Sequence, residues 1–382
     1  MKLLILSHPC VTPINQAFFA EVEQQTQWDI TIVVPAQWET EYGPRRATRW
    51  PDFQGTLHTV PVWGSGNVPL HLYQSTFMRQ LRATRPDAIY VHNEAYAAST
   101  AQMWLANRAT LNAPLGFYSA QNLIKQYPPP FRWTEQAIYR SARFAFPCSE
   151  SALDTLRAKG YEGPATYLPL GVDDGLYAPA PDREALRAQL APDADILFGF
   201  VGRLSPEKGL LTLLDALAQL PPSLNWHLAL VGTGPQQAAF DARADALGLS
   251  SRITQVGFVE HPEVPRYYSA FDLVVLPSET LPTLKEQFGR VIVESLACGT
   301  PVLGSSSGEI PRVIEQTGGG ITVPERDADA LAECLLALAR DPARRATLAE
   351  TGRRTVRSTF TNGPLATRFA ETIERAVAHP VT

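Results

Sequence analysis

Short apolar runs recur along the chain, and the stretches between many of them place apolar residues at helical spacing. In the first half LLILS (3–7), DITIVVP (29–35), AIYVH (88–92), LGFYS (115–119), FAFPCS (144–149) and ATYLPLG (165–171) predict strands. QAFFAEVEQQ (16–25) and ESALDTLRAKG (150–160) predict helices, the second opened by Ser149 and closed by Gly160. Residues 171–193 break the pattern; their Pro, Asp and Ala content reads as a connector with a short helix. The alternation then restarts. Strands are expected at 196–202, 226–232, 252–258, 273–278, 301–306 and 319–324, and helices at 209–220, 236–248, 263–271, 288–299, 329–341 and 363–377. Buried strands separated by helices imply α/β, doubly wound parallel sheets. The expected domains are 1–172 and 173–362. Residues 363–382 form a helical segment that can pack on either domain, with return to the N-terminal one the expectation.

Composition narrows the classes. The chain has 382 residues, 45% hydrophobic and 19% charged, which suits two globular domains with sizeable cores. A net charge of −5 argues against a nucleic-acid binder, whose domain carries a basic excess. Cys10, Cys148, Cys298 and Cys334 form no C-x-x-C pair, so they read as small apolar residues of a reduced, cytoplasmic protein. The start, MKLLILSHP, reads as a buried strand rather than a signal peptide, and no apolar run reaches bilayer-spanning length.

Candidate chemistry lies at strand ends of the second half. Arg203 and Lys208 follow the strand ILFGFVG in RLSPEKG, with a helix expected from near Lys208. Two cations beside a helix start make a phosphate site, because N–H groups and side chains favour the same anion. Gly232 and Gly234 of LVGTGP let backbone approach a ligand closely. EQFGRVIVE (286–294) carries two carboxylates. On one continuous helix they would sit about 80° and about 12 Å apart, poor spacing for an acid/base pair. If the helix starts at Phe288–Gly289, its free N–H groups lie between Glu286 and Glu294. A long ligand with hydroxyls on both sides of a diphosphate fits that layout; the plainer alternative is a solvated loop glutamate and a surface helix glutamate.

The pieces GVDDGLYAP, FGFVGRLSPEKG, LALVGTGP, VGFV, FDLVVLPS, EQFGRVIVESLACGTPVLGS and the GE of SSSGEIPRVI together resemble the donor-binding domain of retaining glycosyltransferase family 4. The resemblance implies a GT-B architecture, two Rossmann-like doubly wound domains facing a central cleft, with the acceptor domain first. It implies that Arg203 and Lys208 bind the donor diphosphate and that Glu294 holds ribose hydroxyls. Glu286 would face the transferred sugar. Gly202, Gly232, Gly234 and the backbone of Gln287, Phe288 and Gly289 would lie near donor phosphate and sugar. Such enzymes retain anomeric configuration, need no metal and no cofactor beyond a UDP- or GDP-sugar co-substrate, and act on a glycan, lipid-linked or small-molecule hydroxyl. Members that use lipid carriers dock peripherally on membranes, here the inner membrane face.

The N-terminal half departs from this pattern. HPCVTPINQ (8–16) lacks the glycine-rich loop of many relatives, leaving Asn15 or Gln16 as replacements. GFYSAQNLIKQYP offers Gln121 and Asn122 where many relatives have a histidine, and His92 with Glu94 ends the preceding strand. An amide can donate a hydrogen bond but cannot take a proton. QYPPPFRWTEQAIYRSAR (126–143) reads as a rim loop and a packed helix with Trp133 and Tyr139 partly in the core. Competing readings are a nucleotide-sugar 2-epimerase or glycan phosphorylase of the same fold, a non-catalytic two-domain ligand-binding protein, and a dinucleotide-dependent reductase. The last needs a third glycine that GTGPQQ lacks.

Overall fold

The structure is a computed structural model that describes residues 1–40, 43–74 and 76–378. These fall into two compact units, Met1–Pro169 with the segment from Asn362, and Leu170–Thr361. The last four residues of the expected 363–382 segment lie outside the described residues.

Each unit is built on a six-stranded parallel sheet. The first has β1 (Lys2–Leu6), β2 (Asp29–Pro35), β3 (Thr56–Val60), β4 (Ala88–Val91), β5 (Leu115–Ser119) and β6 (Phe144–Pro147), in the order β6-β5-β4-β1-β2-β3. The second has β7 (Ile196–Val201), β8 (Trp226–Val231), β9 (Ile253–Gly257), β10 (Leu273–Leu276), β11 (Val302–Ser305) and β12 (Gly320–Val323), in the order β9-β8-β7-β10-β11-β12. Both are Rossmann-like, with strand order reversing between β1 and β4 and between β7 and β10. Ligands of such sheets bind outside the carboxyl ends of the strands at this reversal. The central strands β4 and β10 are apolar throughout rather than alternating, with all four residues of each buried. That is the pattern of strands covered on both faces by helices.

The C-terminal helix, Asn362–Ala378, packs within the first unit. Its Phe369 stacks on Phe146 with ring centroids 4.8 Å apart and meets Phe18, Phe19 and Tyr90 edge-on. Burying one such ring contributes about 1.5–3 kcal/mol.

Several elements differ from expectation. ATYLPLG (165–171) is not a strand. It runs beside β6, with Thr166 N–H donating to Ala145 O at 3.0 Å and Leu168 N–H to Pro147 O at 2.9 Å, but pairs only as one bridge. Pro164 and Pro169 cannot donate, which limits the ladder. Trp133, expected partly in the core, is 67% exposed on the Phe131–Ser141 helix, whereas Tyr139 is buried. The helix expected at 150–160 runs Glu150–Ala158, and Ser149 Oγ caps it by accepting from Ala152 N–H at 3.2 Å. All four cysteines are free.

Candidate functional site

Arg203 and Lys208 follow β7, beside the reversal in the second sheet. The helix expected from near Lys208 begins later: Pro206–Lys208 is a 3₁₀ turn, and the helix runs Leu210–Leu217. Gly209 joins them at φ 65°, and a Cβ there would lie 1.9 Å from Pro277 O. Glycine therefore lets this junction touch the chain leaving β10. The contact sets Lys208 against the loop after β10, where its Nζ donates to Glu286 Oε2 at 2.7 Å. The two side chains are 23% and 15% exposed, partly shielded but open to a ligand. Glu286 is held from behind, its carbonyl accepting from Glu309 N–H at 3.1 Å. Gly308, at φ 56°, makes room for that carbonyl, because its Cβ would fall 2.0 Å from it.

Arg203 projects from an exposed position between Gly202 and Leu204. Gly232 and Gly234 lie against this loop: their Cβ atoms would fall 2.0 Å from Gly202 O and 2.3 Å from Leu204 O. Leu204 N–H donates to Thr233 O at 3.0 Å, so the two strand-end loops brace each other. The close approach that these glycines permit is thus partly to the Arg203 loop itself.

The helix containing Glu294 spans Arg290–Ala297, two residues later than expected, because Gly289 at φ 79° serves as its N-cap. Gln287 is exposed and Phe288 buried. Glu294 is no surface residue: it is 7% exposed, and Tyr268 Oη donates to its Oε2 at 2.9 Å. Arg290 Nε lies 2.9 Å from Oε1, near enough to pair by charge, although its N–H is not directed at an acceptor. Burial and the nearby Glu294 charge hold the Tyr177 phenol well above its ordinary pKa, while its buried Oη lacks a well-formed hydrogen bond. Glu286 thus belongs with Lys208, and Glu294 with Tyr268 and Tyr177, at opposite ends of the Gly289 turn. Tyr268, Tyr177, Gly209 and Gly308 carried no role in the sequence; only the GE pair of SSSGEIPRVI hinted at Gly308.

In the first unit the candidates cluster after β4 and β5. His92 Nδ1 is 3.2 Å from Ser7 Oγ, and burial lowers its pKa to about 4. Desolvation pushes Glu94 up to about 7, against hydrogen bonds from Ala120 N–H, Ser119 Oγ and Gln121 N–H. Glu94 therefore anchors the loop that holds Gln121 and Asn122. Gln121 Nε2 donates to Leu123 O at 2.7 Å, and both amide residues are largely buried. Asn15 Nδ2 donates to Pro9 O at 2.8 Å. Gln16 requires a correction as a ligand contact. It is fully buried, its Nε2 donates to Cys10 O and Thr48 O at 2.7 Å each, and its Oε1 accepts from Trp50 N–H at 3.0 Å. It fastens the 48–50 segment to the start of the Ile14–Thr26 helix. His8, not singled out in the sequence, packs against Trp38 and His71 with its Nδ1 buried and unpartnered.

Among the described residues no three His, Cys, Asp or Glu side chains are grouped to hold a metal ion, and no helix is long and apolar enough to cross a membrane.

Most of the chain matches known protein families. Residues 182–355 match the family "Glycosyl transferases group 1", and residues 20–171 match "Glycosyl transferase 4-like domain". The alpha-D-kanosaminyltransferase of Streptomyces kanamyceticus is 26% identical over 315 residues, covering 78% of this chain and 79% of that protein. Sucrose-phosphate synthase from Thermosynechococcus elongatus shares the fold with a TM-score of 0.78 at 21% identity, over 99% of each chain. Anabaena Alr3699/HepE, solved in complex with UDP, has a TM-score of 0.77 at 22% identity, over 98% of this chain and 100% of its own.

Proposed function

The chain belongs to the family 4 glycosyltransferases of the GT-B fold, and from that premise we propose that it moves a sugar from a UDP- or GDP-sugar to an acceptor hydroxyl with retention of configuration and without a metal ion. The observation that carries this reading is the Lys208–Glu286 pair, a cation and a carboxylate 2.7 Å apart where a sugar diphosphate would bring both phosphate and hydroxyls. Lys208 and Arg203 take the diphosphate, Glu286 accepts from hydroxyls of the transferred sugar, and Glu294, oriented by Tyr268, accepts from the ribose hydroxyls.

In the reaction the bond from the anomeric carbon to the β-phosphate oxygen breaks while the acceptor oxygen bonds to the same face of that carbon. The acceptor proton passes to the departing phosphate oxygen, so no strong protein base is required; Gln121 and Asn122 serve as amide contacts rather than bases. Charge grows on the leaving diphosphate, and fixed cations there act where they matter most. One well-placed group of this kind contributes about 10²–10³ in rate. HepE has been solved with UDP-glucose, which makes uridine nucleotides the first donors to test. The free cysteines fit a reducing, cytoplasmic setting, with any membrane contact peripheral.

The test is to incubate the purified protein with UDP- and GDP-sugars and a panel of glycan and small-molecule acceptors in EDTA. Proton NMR of the product then reads its anomeric configuration. An α-linked product from an α-linked donor is expected. An inverted product, strict dependence on added divalent cation, or an epimerised nucleotide-sugar formed without acceptor would each overturn the reading.

A further inference from the structure

The amino ends of β5 and β6 border an open cleft of about 1020 Å³ that the transfer chemistry does not use. Its walls are the 112–114 turn, the end of the Phe131–Ser141 helix, the extended 164–166 segment and the C-terminal helix. The turn is fixed by the buried Asn107, whose side chain bonds Ala113 N–H and C=O at 3.0 and 2.8 Å. Thr372 Oγ1 joins the C-terminal helix to Thr166 Oγ1 at 2.9 Å.

Four arginines, Arg140, Arg143, Arg157 and Arg375, line this cleft, and among the described residues no aspartate or glutamate does. That is a local reversal of a chain whose net charge is −5. Arg157 donates to the carbonyls of Tyr161 and Gly163, and Arg375 to the carbonyl of Glu371. Among the described residues none of Arg140, Arg157 and Arg375 pairs with a carboxylate across the cleft.

Three of these arginines also stand in the last turns of helices, where a cation offsets the helix dipole. The magnitudes decide whether that role uses up the charge. The three helix C-termini supply about −0.5 each, and the guanidinium groups of Arg140, Arg157 and Arg375 supply +3, which leaves an excess of about +1.5 in the cleft. Guanidinium forks match phosphate oxygens two at a time. Among the described residues none of the exposed large apolar side chains lines the cleft, as the rim of a membrane-inserting surface would require.

We propose that this cleft is a binding site for a small soluble phosphorylated molecule carrying at least two phosphate charges, distinct from the donor site and independent of the glycosyltransfer reading.

Calorimetry with inorganic pyrophosphate and with a hexose bisphosphate, at low ionic strength, tests it. The titrations use the full chain, Arg140→Ser/Arg375→Ser, Arg140→Lys, and Arg203→Ala/Lys208→Ala. Both cleft positions are exposed, so the substitutions should leave the fold intact, which circular dichroism checks. The expected result is a site for at least one probe whose Kd rises about tenfold or more in the double serine variant. That Kd should rise less in Arg140→Lys and stay unchanged when Arg203 and Lys208 are removed. Binding that follows only Arg203 and Lys208 would overturn the proposal. So would no binding of either probe at millimolar concentration, or retention on phosphatidylglycerol vesicles without binding of the soluble probes.

Discussion

Replacing Lys208 by methionine separates the two roles its position allows. The side chain keeps its length but loses its charge, and Glu286 is left without the partner 2.7 Å away. Two unit charges about 4 Å apart attract by about 4 kcal/mol at an effective dielectric near 20. Desolvation offsets much of this, and a hydrogen bond to a charged group nets about 1.5–3 kcal/mol. Both side chains are less than a quarter exposed, so solvent screening leaves most of that value in place. Urea denaturation should therefore show Lys208→Met less stable by about 1.5–3 kcal/mol. Adding Glu286→Gln removes the charge that lost this partner, and the double variant should recover part of the loss. Turnover should behave differently. Followed by release of nucleoside diphosphate, it should fall by about 10²–10³ in Lys208→Met, the value of one lost charge-stabilising group. Adding Glu286→Gln should restore none of it. If activity returns together with stability in the double variant, Lys208 serves only to neutralise Glu286, and its action on a leaving diphosphate is refuted.

Two other predictions rest on local geometry. Gly232→Ala puts a Cβ 2.0 Å from Gly202 O at φ 134°, so it should cost about 1–3 kcal/mol of stability and weaken nucleoside diphosphate binding through the Arg203 loop; a neutral result in both assays would contradict the bracing role. His92 and Glu94 should give opposite pH slopes. His92, lowered from 6.5 to about 4, contributes stability that is present above pH 6.5 and lost as pH falls toward 4. Glu94, raised from 4.5 to about 7, contributes stability that is full below pH 4.5 and lost as pH rises toward 7. Denaturation between pH 4.5 and 7 should thus show His92→Gln losing stability with rising pH relative to wild type, and Glu94→Gln gaining it; parallel profiles would contradict both environments.

The sheet strands were largely legible because burial on both faces writes them as continuous apolar runs. TLHTV of β3 escaped notice for the opposite reason: it is an edge strand with a single buried residue. The Pro342–Thr359 helix buries only Gly352 and Val356, so no apolar stripe marks it; its start is signalled instead by Asp341, which caps Arg344 N–H, and by Pro342. At the candidate site, Arg203, Lys208, Glu286 and Glu294 stood out as charges at strand ends and a helix start. What holds them was hidden. Gly209 meets Pro277 and Gly308 meets Glu286 across the sheet end, and Tyr268 reaches Glu294 from another helix. Such contacts depend on strand order, which linear spacing does not encode. Gln16 differs for a related reason: an amide in the first turn of a helix reads as available until the fold surrounds it.

The central claim is that the second unit binds a nucleoside diphosphate through Arg203 and Lys208 without a metal ion. Calorimetric titration of UDP and of GDP, in EDTA, into wild type and Arg203→Ala/Lys208→Ala tests it most directly. Saturable one-site binding of at least one nucleotide to wild type, lost or weakened at least about a hundredfold in the variant, is the expected result. Equal binding by both proteins, or binding that appears only when a divalent cation is restored, would contradict it.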